Sequence, residues 1–574
     1  MKIYTAISLL FCLMLFACSK DPQIQVASAD EKPSYQDVLE LLLENEKVVA
    51  DFPNANPVAV MYNREAVIPA MCYTKTEGKH NPCYVCHQDA IPQRENTMND
   101  GELQAAYSFS DLGLKNHWNN LFEDRSERVA NISDKAILKW IEEDNYSDLA
   151  ERLDDVDFKG WIPDLKNLQK AAAAFDKDGF AKDGSHWVAF NYKPFPSSFW
   201  PTNGSTDDVM IRLPEPFRVN DKGYYQEDIY KANLSILEAK IKGLESINTW
   251  SINEKNVGVD LNGDGDLSKI NNITVLTDYV GKAKGLYYID SYLYPKDTEF
   301  LHTVRYVGVK GDEIVNSTRM KEVRYMRKWS VFSKPEMAWR YTQEGFEKEA
   351  GNLPGYYNLG QKGLDNDFGW SIQGFIEDKQ GRLRVSSHEE NFFCMGCHGS
   401  IGATIDKTFS FARKIDGKNG WGYIDLKGMP DAPNKGEEQG EFATYFERVG
   451  GGGEFRSNTE MQAKWFNKDG TVNQEAIAAA RDVYDLITPS RERALELNKA
   501  YKVIVEDQDF IFGRDATVKP PINVYTEVSN ETSPTLPLDK VYQWDIRLDW
   551  QSAAAIELAE ESSCRLCDWF KTLF

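Results

Sequence analysis

The chain has 574 residues, enough for about three or four domains with buried cores. Its 66 Lys plus Arg are outnumbered by 89 Asp plus Glu, a formal net charge of -23 that excludes nucleic acid as a partner, since phosphates would be repelled. The same sign suits docking to a basic carrier protein, although acidity also serves solubility alone, and the 14 Trp and 27 Tyr offer many large rings for packing.

Lys2 is followed by an apolar run from Ile3 to Ala17, too short to span a membrane and remain there. Leu15-Phe16-Ala17-Cys18 then has the form of a bacterial lipoprotein cleavage box, a small residue before a cysteine that becomes the acylated N-terminus. The plainer reading is an ordinary signal peptide with an incidental cysteine. By resemblance to lipoproteins, Cys18 would carry several acyl chains, enough for stable membrane anchoring, and Ser19 in place of Asp favours the outer membrane, facing the periplasm or the cell surface. Removing residues 1–17, which hold one Lys and no acid, takes the net charge from -23 to -24. Residues 19–33 are polar and aperiodic, a tether. Ser34 to Ala50 reads as a helix: Ser34 caps, Asp37 follows three positions on, and Val38, Leu41, Leu42 and Val49 form its apolar face.

From Phe52 to Gln93 prolines and the lack of a sustained period predict loop, and inside it stands Cys83-Tyr84-Val85-Cys86-His87. The same C-x-x-C-H form returns at Cys394-Met395-Gly396-Cys397-His398. Two cysteines three apart reach two vinyl groups on one porphyrin edge as thioethers, and a histidine directly after the second brings its imidazole under the iron. A redox C-x-x-C or half of a zinc site is the alternative, but zinc needs further ligands at matching spacing. Two covalently attached haem c groups are therefore expected, held by Cys83, Cys86, Cys394 and Cys397 and ligated by His87 and His398.

Helices are expected at Ser133 to Glu143, with Ile137, Trp140 and Ile141 in register, and at Ser147 to Leu153. Trp187 to Pro201 mixes aromatics with prolines and cannot be a regular helix; it is either a rigid loop packed on a haem edge, the favoured reading, or part of a pocket. A helix at Tyr230 to Glu245 is followed by Asp260-Leu261-Asn262-Gly263-Asp264-Gly265-Asp266, whose alternate oxygen side chains and glycine match a calcium loop of the EF-hand type. Asp260, Asn262, Asp264 and Asp266 are its expected calcium residues. Asn271 replaces the usual closing Glu, which implies weaker binding or a carboxylate from elsewhere; a solvated Asp/Gly turn is the plain alternative. Leu286 to Tyr294, Phe300 to Val309 and Glu322 to Phe332 read as strands, the last two as antiparallel neighbours. Gly450 to Gly453 read as a flexible loop, and Gln474 to Ile487 and Arg491 to Ala500 as helices.

The resulting fold class is α+β, with two loop- and helix-rich haem segments flanking a middle region of antiparallel strands. Its expected divisions are 1–17 signal, 18–33 tether, 34–159 first haem domain, 160–332 middle region and 333–574 second haem domain with C-terminal helices. Cys72, Cys564 and Cys567 are left over, and one disulfide among them is expected in an oxidising compartment. Asp568 stands where a third haem motif would need histidine.

At its ten motif residues the sequence resembles the c-type cytochromes, more narrowly the large dihaem ones. That resemblance implies an axial ligand opposite each proximal histidine. His80 and His388 lie too close in sequence to their own motifs; His117 is expected opposite the first haem and His302 opposite the second, with Met71, Met98, Met320 and Met326 as competitors. Electron transfer in the periplasm or at the outer membrane is the leading function. The alternative is an enzyme similar to the bacterial dihaem peroxidases, or an oxygenase, with one open haem and Glu389 or Glu390 as acid/base group. A surface binding protein with structural haem and calcium is a third reading.

Overall fold

The computed structural model describes residues 60–552, apart from 76–81, 92–97, 107–108, 111, 277, 289, 291, 451–454, 530–532 and 534, together with the backbone of residues 25–26. Cys18, the tether, the Ser34 to Ala50 helix, His80, Cys564 and Cys567 lie outside the described residues.

The architecture is α+β, organised on an antiparallel sheet. After a short parallel pair, Gln25–Val26 with Val60–Met61, the strands in chain order are β1 (Val188–Ala189), β2 (Thr206–Arg212), β3 (Ile247–Asn253), β4 (Lys269–Ile273), β5 (Glu299–Lys310), β6 (Glu313–Lys328), β7 (Tyr357–Asn358), β8 (Leu364–Asp365), β9 (Trp370–Glu377) and β10 (Leu383–Val385). Among the described residues the main sheet has eight strands in the order β1-β2-β5-β6-β9-β8-β7, with β10 also paired to β9, while β3 and β4 form a separate hairpin. The expected pairing of the two long middle strands is observed: β5 and β6 form a hairpin that turns at Gly311, whose φ of +65° an L side chain would resist.

Successive side chains on a strand point to opposite faces, and the sheet uses both. Leu301, Val323, Met210 and Phe375 enter one apolar cluster. Their neighbours Phe300, Met326, Ile211 and Ile372 enter the other, which gathers residues from Met61 to Trp550. Burying each such side chain contributes about 1.5–3 kcal/mol, so the sheet is held from both sides.

The principal helices are α1 (Asp134–Glu142), α2 (Leu149–Asp155), α3 (Glu227–Lys242), α4 (Lys334–Glu349), α5 (His388–His398), α6 (Glu441–Val449) and α7 (Arg491–Asp507). Ser133 caps α1, its side chain accepting from the Ala136 N–H at 3.2 Å. Gly243 ends α3 with φ +65°, and the helix spans 227–242 where the apolar pattern placed it at 230–245. Ser387 and Glu390 close a capping box at the start of α5, so the second C-x-x-C-H rides on a helix and not on the loop its glycine and asparagine content suggests.

Two sequence expectations are corrected. Leu286 to Tyr294 is not a strand: Leu286 and Tyr288 are 62% and 87% exposed, and Tyr292 has φ +67°, which breaks extended pairing. Gln474 to Ile487 is not one helix but two short ones, Gln474–Ala478 and Val483–Ile487, because the Asp482 side chain accepts from the Asp485 N–H and starts a new turn. Among the described residues no helix is long and apolar enough to cross a membrane.

Candidate functional site

A cavity of about 220 Å³ is lined from the sheet by His302, Arg324 and Met326 and from α5 by Cys394, Cys397 and His398. Cys86 of the first motif also reaches it. The Trp187 to Pro201 stretch contributes Phe190, Tyr192, Phe195 and Phe199, so this loop forms part of a pocket.

His398 ends α5, and its Nδ1 lies 2.8 Å from the Lys407 carbonyl oxygen, the geometry of an N–H donated to that oxygen. Asp406 and Lys407 adopt φ +47° and +61°, a turn held by the Asp406 carboxylate, which accepts from Lys328 at 2.5 Å and from the Tyr294 N–H at 2.9 Å. Burial pushes the His398 imidazole down to about 4, with nearby His302 and Arg324 acting the same way against the Lys407 hydrogen bond. The ring is therefore neutral at ordinary pH, as a metal ligand must be, and its Nδ1 contact directs Nε2 the other way.

His302 sits mid-strand on β5, opposite Val209 of β2 and Arg324 of β6. Its buried Nε2 has no hydrogen-bond partner among the described residues, although Asp207 Oδ2 is 3.4 Å away, and Phe199 meets the ring edge to face at 5.0 Å. Two histidines thus share one cavity, one on the sheet and one on the helix across from it.

At the first motif, His87 Nδ1 is 2.8 Å from Asp100 Oδ2. Asp100 Oδ1 accepts from the N–H groups of Gln88 at 3.0 Å and Gly402 at 3.2 Å, and Lys348 approaches Oδ2 at 3.3 Å while donating to the Ser400 carbonyl at 2.8 Å. Burial alone would raise the Asp100 carboxyl, but His87 and Lys348 together hold it below the usual range. The Cys86 carbonyl accepts from Ala403 N–H at 3.0 Å, so the segment after the second motif is hydrogen-bonded to the first. Burial pushes the Cys83 thiol up to about 12 and the Cys397 thiol up to about 11, and that of Cys72 well up, with Cys83 and Cys397 adding to the effect. Thiols held up in this way stay protonated at neutral pH.

The other expected ligands divide. Met71 and Met326 line the cavity, whereas Met320 lies in the separate cluster on the other sheet face and Met98 is buried outside the lining. His117 is also outside the lining, with Nε2 3.6 Å from Glu65. His186 stacks on Tyr225, and His388 begins α5, at the end opposite His398. Neither Glu389 nor Glu390 lines the cavity. Glu390 is ion-paired with Arg384 at 2.8 Å; Glu389 is buried against the Asn63 N–H and pushed up to about 7.

The acidic loop joins β3 to β4, preceded by a single helical turn, Glu254–Val257, instead of lying between two helices. Asp260 accepts from the N–H groups of Gly263 and Gly265, Asn262 from that of Asp264, and Asp264 from that of Asp266. Glu254, fully buried, accepts from Leu261 and Ser268 N–H groups at 2.6 and 2.9 Å and ties the two ends of the loop. Among the described residues no group of three or more His, Cys, Asp or Glu is arranged to hold a metal ion.

Asp100, Lys407, Arg324 and Glu254 were not expected from the sequence. Each is placed by a turn or a strand register, and none carries a spacing signal of its own.

Fold and site define an α+β protein with a cysteine- and histidine-lined cavity set against a central sheet. The chain belongs to a lipoprotein family, whose model matches residues 55–485. It is similar to a protein of Aquifex aeolicus (strain VF5) described as "Uncharacterized lipoprotein", 34% identical over 526 residues that cover 80% of this chain and 86% of the relative. No solved structure matches it. Lipoprotein membership fits an exported protein attached to a membrane through a lipid.

Proposed function

We propose that this lipoprotein is a dihaem c-type cytochrome that transfers electrons in the periplasm or at the outer membrane, anchored through Cys18. Haem c would supply a one-electron iron couple at each motif. Cys83 and Cys86 would hold one group and Cys394 and Cys397 the other, with His87 and His398 as proximal ligands. The observation that carries this reading is the shared cavity of His398 and His302. One ring has its Nδ1 anchored by a carbonyl at 2.8 Å, and the other has a buried Nε2 with no hydrogen-bond partner among the described residues, Asp207 Oδ2 lying 3.4 Å away. His302 is the proposed sixth ligand of the second group and His117 that of the first.

The hydrogen bond between Cys86 and Ala403 keeps the two motifs adjacent, which favours electron exchange between them. The acidic surface suits a basic carrier protein as partner. Calcium at Asp260, Asn262, Asp264 and Asp266 would stiffen the loop between β3 and β4. The enzyme alternative is the weaker reading, because Glu389 and Glu390 do not line the cavity.

The test is to express the chain with a haem-attachment system and measure intact mass and the pyridine haemochrome spectrum. Two covalent haems are expected, falling to one stably attached group in Cys397→Ala. A mass without haem would overturn the proposal. Low-temperature EPR then decides between the readings: two low-spin signals support electron transfer, and a high-spin iron perturbed by peroxide supports the enzyme.

A further inference from the structure

One end of the cavity is unlike the rest. Lys321, Glu322, Arg324, Arg456, Arg514 and Asp515 line it, so three guanidinium groups and a lysine face two carboxylates inside a strongly acidic protein. Both carboxylates are already engaged. Glu322 Oε2 is shared by Arg324 at 2.8 Å and Arg514 at 3.0 Å, and Asp515 Oδ1 accepts from Arg456 at 2.6 Å. Lys321 donates to the Gly204 carbonyl at 2.7 Å and to Ser205 Oγ at 3.1 Å.

Arg456 Nη1 also donates to the Ser197 carbonyl and hydroxyl at 3.3 and 3.2 Å, and Arg514 Nη2 donates to the Glu390 carbonyl, yet one donor on each guanidinium remains beyond these contacts. The Nε–H groups of Arg456 and Arg514 are buried and have no hydrogen-bond partner among the described residues, and the same holds for the Tyr501 hydroxyl, also in the lining. The side chain of Arg514 is only 5% exposed. A buried guanidinium with an unmet N–H is costly, and a surplus cation beside it compounds the cost. An anion with several acceptor oxygens relieves both, and a carboxylate oxygen forms a charge-assisted hydrogen bond with an unmet guanidinium N–H.

We propose that this end of the cavity is a carboxylate-binding subsite, with Arg514 and Arg456 as its principal donors. Two sources share that chemistry. One is a propionate of the haem proposed at the second motif, and in that form the inference rests on the proposed function; the other is a free small carboxylate entering the cavity.

The experiment uses the full-length protein, wild type and the variants R514Q, R456Q and R514K, with folding checked by circular dichroism. Midpoint potentials are measured in buffer containing chloride as its sole anion, and acetate is then titrated by calorimetry. If the carboxylate is a propionate, R514Q and R456Q lower the potential of the second haem, because a positive charge that favoured the reduced iron is gone, and R514K retains the wild-type value. If it is a free carboxylate, potentials in chloride stay put, wild type binds acetate saturably, and R514Q weakens that binding at least tenfold. Unmoved potentials together with no saturable acetate binding overturn the subsite. Should R514Q fail to fold, R456Q decides by the same two readouts. Should no haem be attached, the cytochrome reading falls by itself and the acetate titration alone decides the subsite.

Discussion

Asp100 and Gly402 are 302 residues apart, yet the carboxylate of one accepts the backbone N–H of the other at 3.2 Å while its second oxygen faces His87 at 2.8 Å. One buried side chain thus positions the first histidine and docks the segment that follows the second. Asp100→Asn keeps the shape and removes the charge. It is expected to cost about 2–3 kcal/mol in urea unfolding at pH 7, the range for hydrogen bonds to a charged group. Because the folded-state carboxyl is held low, its contribution is present above the ordinary value of 3.8 and is lost as pH falls through the folded value. A variant as stable as wild type at pH 7 would remove Asp100 from this role.

Gly402 is close-packed for the same reason. A Cβ there would lie 2.1 Å from the Gln88 carbonyl oxygen and 2.6 Å from Asp100 Oδ1. Gly402→Ala is expected to destabilise the protein by about 1–3 kcal/mol through overpacking, read as a lower melting temperature. An unchanged melting temperature would mean that the two segments part without cost.

Glu389 and Glu377 are buried carboxyls, each pushed up to about 7 by burial against an ordinary value of 4.5. A carboxyl raised on folding holds its proton more tightly in the folded state. Its stabilising effect is therefore full below about 4.5 and is lost as pH rises through about 7. Glu389→Gln mimics the protonated form and should flatten the change in unfolding free energy between pH 5 and pH 8 by an amount on the order of 1–3 kcal/mol. Identical pH profiles for variant and wild type would show that Glu389 does not titrate in this window.

His302→Ala leaves the cavity floor in place and removes one imidazole. In the haem-loaded protein the expected result is the loss of one low-spin EPR signal and the appearance of a high-spin one, with the other signal unaltered. Two unchanged low-spin signals would assign the sixth position to another residue, Met71 and Met326 being the methionines that line the cavity.

Glu254 holds the acidic loop through N–H groups on both of its flanks. Glu254→Ala is expected to lose about 2–4 kcal/mol, since the buried amides of Leu261 and Ser268 lose their acceptor. It should also abolish any rise in melting temperature that calcium gives to wild type. Equal calcium responses in the two proteins would separate the loop's metal affinity from its closure.

Several of the cavity-lining residues, Cys86, Cys394, Cys397 and His398, were legible in the sequence because the C-x-x-C-H spacing is local and needs no knowledge of the fold. The strand that carries His302, which lines the cavity, was legible for a second reason, its richness in Tyr and Val between two turns. Lys407 was not, since its carbonyl reaches His398 through left-handed backbone at Asp406 and Lys407, neither of them glycine. Asp100 lies in a segment without periodicity, and nothing near it announces Gly402. Leu286 to Tyr294 misled in the opposite direction, because tyrosine and leucine favour a sheet only where a neighbouring strand covers them. The α5 helix was missed since its glycine and asparagine argue for loop, while the cap that starts it is two residues, Ser387 and Glu390.

The contacts of Trp544 set an order of events in time. Its indole N–H donates to the Tyr84 carbonyl at 2.9 Å, inside the first C-x-x-C-H, and its backbone N–H donates to Gln88 at 3.1 Å. A chain growing from its N-terminus presents Tyr84 460 residues before Trp544, so the first motif lacks this contact until that residue is reached. The wall that Trp544 forms against Tyr84 and Gln88 arrives only when the chain has been made that far. A chain shortened before Trp544 would carry every motif and still lack the wall.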